Sequence, residues 1–97
     1  MEVGMSNRAR KFIRKTEAKN VVIRFVEVEI ADSLGAAKDI EVTLQAPDRK
    51  EGFRHAHVDG VDVYVDKALK VTGPVVIKKQ GFWKFSTLYA DGLQVPL

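Results

Sequence analysis

The chain has 97 residues, 45% hydrophobic and 30% charged, with 16 basic side chains against 13 acidic ones and no cysteine. That describes one globular domain, 1–97, large enough to bury a core without covalent staples. It excludes thiolate catalysis, disulfides and cysteine-held clusters, and a net charge of +3 is too small to mark a dedicated polyanion binder.

The first eleven residues are basic, but no apolar stretch follows them, so they do not read as a secretory signal. No apolar run approaches the ~18–20 residues that span a bilayer. The expectation is a cytoplasmic protein without a membrane anchor. A reducing compartment is compatible with the lack of cysteine.

Ser6 is a helix cap, and Ala9, Phe12, Ile13 and Thr16 follow on one face. The spacing predicts a helix over about 7–18, with Arg8, Arg10, Lys11, Arg14 and Lys15 on its other faces and Asn20 as the stop. Residues 21–30 are rich in β-branched side chains and form a strand. It is apolar on both faces at first, then turns acidic at Glu27 and Glu29 as its end leaves the core.

Residues 31–38 are small and polar and form a loop. Ile40, Val42 and Leu44 alternate along a second strand, and residues 47–52 are a charged turn. Asp59-Gly60 sits between two β-type runs, 53–58 and 61–65. This is a strong hairpin signal, because both central residues need positive φ. Val61, Val63 and Val65 then share one face, and Asp62, Tyr64 and Asp66 the other.

Residues 66–70 are a short linker, Thr72-Gly73-Pro74 a turn, and 75–77 the start of another strand. Residues 80–89 and 93–95, joined by Asp91-Gly92, are expected as a last strand pair. The fold class is α+β, mainly β: mixed sheets of about six or seven strands with one N-terminal helix.

His55 and His57, two apart, point the same way from a strand and are the candidate metal ligands. The sequence nominates no third ligand, so the competing reading is two polar residues on a solvated strand face. Asp59, Asp62 and Asp66 form a loose acidic group without an EF-hand spacing. Glu27 and Glu29 share a face but show no sign of divergent acidities.

The basic helix, with Lys19 and Arg24 beyond it, could meet phosphates. The lack of an RNP-like aromatic pattern and the weak charge excess read against nucleic acid. Phe82, Trp83, Phe85 and Tyr89 are either a binding platform or packing mass. In a chain with eight aromatics the core reading is preferred. No nucleophile–base set, phosphate-cradling glycine loop or catalytic carboxylate pair appears, which argues against an enzyme.

Taken in order, several segments resemble the HesB-like domain of A-type iron–sulfur carriers, and among these the CC/Se-motif branch. They are the early helix from Ser6 to Ile13, the strand from Val21 to Val28, and the stretch from Asp39 to Pro47. The run from Val58 to Leu69 and the closing segment from Gly81 to Leu93 complete the set. The resemblance implies mixed β-sheets with a helix packed alongside.

It also implies where cluster ligands would lie in relatives: a cysteine in the loop after the long strand and Cys-x-Cys near the carboxyl end, the CC/Se branch keeping only the first. Here the first loop contains Asp32, Ser33, Leu34 and Gly35, and residues 90–97 hold no soft ligand either. Cluster iron needs thiolate or, less often, imidazole donors. The expectation is a cysteine-less relative without a cofactor, acting as a non-catalytic binding or accessory module for a protein partner. Metal binding through His55, His57 and carboxylates is the alternative, and weak nucleic-acid binding the third. Edge pairing into a homodimer stays open.

Overall fold

Two apolar patterns dominate the sequence: the helical stripe ending at Ile13 and the alternating valines of 61–65. They meet in one core. The computed structural model describes residues 1–30, 35–81 and 83–97. Among them the chain forms β1 (Val3–Met5), α1 (Asn7–Thr16), β2 (Asn20–Glu29) and β3 (Ala36–Thr43). β4 (Phe53–Val58), β5 (Val61–Asp66), β6 (Lys70–Gln80), a 3-10 turn (Trp83–Phe85) and β7 (Thr87–Gln94) follow.

The strands make two mixed sheets, β1-β6-β7 and β3-β2-β5-β4. β1 runs parallel to β6, and β2 parallel to β5; the remaining pairs are antiparallel. Val21, Ile23, Val61, Val63 and Val65 of the four-stranded sheet pack with Val75 and Ile77 of the other, and with Ala9 and Ile13 of α1. Most of these side chains are wholly buried. Burial of apolar surface at roughly 25 cal/mol per Å² is the main force holding the sheets and helix together.

α1 starts as the sequence predicts: Ser6 Oγ accepts the Ala9 N–H at 3.2 Å. It ends at Thr16 rather than Ala18. Glu17 turns left-handed at φ 59, and the N–H groups of Glu17 and Ala18 donate to the carbonyls of Arg14 and Ile13. This double bond pattern normally falls to glycine.

The Asp59-Gly60 hairpin forms as read, with φ of 51 and 80. Its register sets His55 against Tyr64 and His57 against Asp62. The far end of β2 leaves the core as its acidic face suggests, and Val28 and Ile30 are about half exposed.

Four expectations are corrected. Residues 36–38 belong to β3 and not to the loop: Ala36, Ala37 and Lys38 pair with Glu29, Val28 and Glu27. Thr72-Gly73-Pro74 is not a turn; it lies within β6, where the register against β7 shifts between Val71 and Val76. A bulge tolerates a proline because no ladder N–H is required there. Asp91-Gly92 does not reverse the chain but runs inside β7, opposite that bulge. Residues 80–89 are not a continuous strand: after Gln80 comes Gly81 at φ 74, then the 3-10 turn. β1, three residues long, is too short to show a period. It is fixed by pairing, with Val75 N–H donating to Glu2 O at 2.8 Å.

Candidate functional site

Antiparallel pairing of β4 and β5 places His55, His57, Asp62 and Tyr64 on one face. One oxygen of Asp62, Oδ1, lies 2.7 Å from His55 Nε2 and 3.1 Å from His57 Nδ1. A carboxylate only accepts, so each of these ring nitrogens carries a proton and donates. The hydrogen bonds from His57 and then His55 hold the Asp62 carboxyl below its ordinary value. His55 also leans on the buried Tyr64 ring, 5.1 Å between centroids.

The structure thus brings Asp62, placed by the sequence only in a loose acidic group, against both histidines. Only the cross-strand register could reveal it. Among the described residues no group of three or more histidines, aspartates or glutamates is arranged to hold a metal ion. The cluster is a hydrogen-bonded one, with Asp62 binding the two imidazoles to the sheet.

The loose acidic group separates into three roles. Asp59 pairs with Arg10 Nε at 3.0 Å. Asp66 accepts the backbone N–H groups of Phe25 and Ala68, both at 3.0 Å. Of the loop read as a ligand relic, Asp32, Ser33 and Leu34 lie outside the described residues. Gly35 follows them at the β2–β3 connection, where its carbonyl accepts the Ile30 N–H at 3.4 Å.

The aromatic segment departs furthest from its expected role. Trp83 is 79% exposed and Phe85 78%, so neither supplies core mass, and Tyr89 is exposed at 37%. Phe82 lies outside the described residues. Trp83 sits at φ 61, a conformation that costs a bulky residue of order 1–3 kcal/mol and persists only where its surroundings enforce it. Enforcement is visible. The Trp83 carbonyl accepts from Ser86 Oγ at 2.9 Å. The Gly81 carbonyl accepts from Arg8 Nη2 at 3.1 Å and from Lys79 Nζ at 3.3 Å.

Between α1 and this turn lies an open groove of about 720 Å³. Its walls carry Arg8, Lys11, Arg14, Lys15 and Lys79, with Trp83 at one side and Phe12 and Ser86 between. Among the described residues no carboxylate lines it, and none of the five cations forms an ion pair. Lys19 and Arg24, grouped with the helix on sequence grounds, do not reach it.

The sequence profile of the CC/Se motif containing family matches residues 1–93. The chain belongs to that family. No curated protein matches it significantly. This member of the CC/Se family carries no cysteine anywhere in its 97 residues. No helix among its described residues is long and apolar enough to cross a membrane.

Proposed function

We propose that this CC/Se family member is a cytoplasmic, non-catalytic binding module on a HesB-like scaffold. It holds no iron–sulfur cluster of its own, the 31–35 loop being a relic of the ligand site. It takes anionic partners in the groove between α1 and the 3-10 turn. One observation carries the reading: five cations converge on a groove of ligand size, with no carboxylate lining it among the described residues. Solvated lysines on a helix are ordinary, but convergence from two elements onto one concavity concentrates the field.

Two measurements test it. The protein should be retained on immobilised heparin at low salt, and Lys11→Glu with Lys15→Glu should elute far earlier. Wild-type flow-through, or equal elution of the variant, ends the anion reading. Anaerobic reconstitution with iron and sulfide should give no thiolate–iron charge-transfer band, and a strong band ends the cluster-free reading.

A further inference from the structure

We propose that the α1 groove binds single-stranded nucleic acid, its phosphates on the helix cations and a base stacked on Trp83. This rests on the anion-binding reading above and adds the class of ligand.

The cations are arranged as a track. Arg8, Lys11 and Lys15 recur at three and four residues, so they form one stripe along α1, about 10 Å long at the helical rise. Lys79 comes from β6, at the side where Trp83 stands. A stripe of this length suits a succession of phosphates better than one anion.

The tryptophan supplies the second half of the match. A large ring exposed beside cations that form no ion pair among the described residues suits a ligand that joins negative charge to flat aromatic faces. Single strands offer both, and aromatic stacking is their sequence-tolerant source of affinity. A duplex presents its phosphates but keeps its base faces covered. An acidic peptide presents charge without rings. Lys84 Nζ lies 5.2 Å from the Trp83 ring centroid, a cation–π contact on one face of the ring.

The backbone that carries the ring is held in place. Left-handed at Trp83, it is fastened by Ser86, and the turn is anchored to α1 through Arg8 and the Gly81 carbonyl. A Cβ on Gly81 would collide with the Phe85 carbonyl, so this position keeps its glycine at φ 74. Little ordering of this backbone is left to be done when a ligand arrives. The strain at Trp83 serves no packing, since its side chain touches solvent over most of its surface.

Trp83 is the chain's one tryptophan, so its fluorescence reports the site directly. A short oligothymidylate should quench it, with log affinity falling against log salt at a slope of about −2 for three phosphates. Inorganic polyphosphate should bind without comparable quenching. By fluorescence anisotropy of a labelled oligonucleotide, Trp83→Ala should lose about 10-fold in affinity. Trp83→Phe should keep most of it, and both variants should retain the wild-type far-ultraviolet spectrum.

If the oligonucleotide and polyphosphate bind alike, without quenching and without an effect of Trp83→Ala, stacking is overturned while anion binding stands. If neither binds, both readings fall. Binding of a duplex or of polyglutamate as tightly as the single strand also overturns the proposal.

Discussion

A Cβ on Gly92 would run into the carbonyl oxygen of Pro74 and come within 2.8 Å of its carbonyl carbon. The close approach falls where the register of β6 against β7 shifts, between Val71 and Val76. Gly92 also sits at φ 87. Gly92→Ala should therefore cost about 2 kcal/mol or more, from left-handed strain and overpacking together. Chemical denaturation should show a lower midpoint at unchanged slope.

Asp66 extends the parallel β2–β5 ladder beyond its last backbone pair. Ile23 stands opposite Val65, and the next free N–H, that of Phe25, goes to the Asp66 carboxylate. The other oxygen closes the turn at Ala68. Asp66→Ala removes both acceptors and should destabilise by about 1–3 kcal/mol. Asp66→Asn, which keeps one carbonyl oxygen, should lose less. Urea titration of the two variants gives the comparison.

Asp62 and Lys78 give stability opposite dependences on pH. The folded Asp62 carboxyl is depressed by His57 and His55, so its contribution is present above the unfolded carboxylate value and is lost as pH falls through the folded one. Lys78 is raised by its hydrogen bond to Asp91, at 2.6 Å. Its contribution is present below the unfolded lysine value and is lost as pH rises through the folded one. The gap between wild type and Asp62→Asn should hold near neutrality and shrink in acid. The gap between wild type and Lys78→Met should hold near neutrality and shrink in alkali. Melting temperatures across pH check both.

Glu17 occupies the left-handed position that closes α1, and its side chain is exposed. Glu17→Gly should stabilise the fold by about 1 kcal/mol, because glycine adopts this conformation without a Cβ clash. A lower melting temperature would show that the glutamate makes a compensating contact.

Local signals explain what was readable beforehand. The Asp59-Gly60 turn and the Val61, Val63, Val65 face follow from two-residue and period-two rules that need no knowledge of partners. The start of α1 follows from Ser6 in the same way. What escaped depends on neighbours distant in sequence. Thr72-Gly73-Pro74 has turn chemistry, yet it is flanked by ladder pairs, Val71 with β7 before it and Val75 with β1 after it, and the chain runs on within β6. Asp62 meets the histidines only through hairpin register. Size alone places the aromatics in the core, but aliphatic side chains from both sheets already fill it, leaving Trp83 and Phe85 outside.

The three-stranded sheet joins residues 3–5 to residues 75–77, across more than two-thirds of the chain. A ribosome must therefore deliver nearly the whole domain before its first strand can be paired. Until then the apolar face of α1 lacks the β6 residues that cover it. Contacts this distant in sequence slow folding, because the loop must close before any of them forms. During that interval the apolar side chains of residues 7–16 are incompletely covered, and the charges of Arg8, Lys11 and Lys15 oppose their association with other chains.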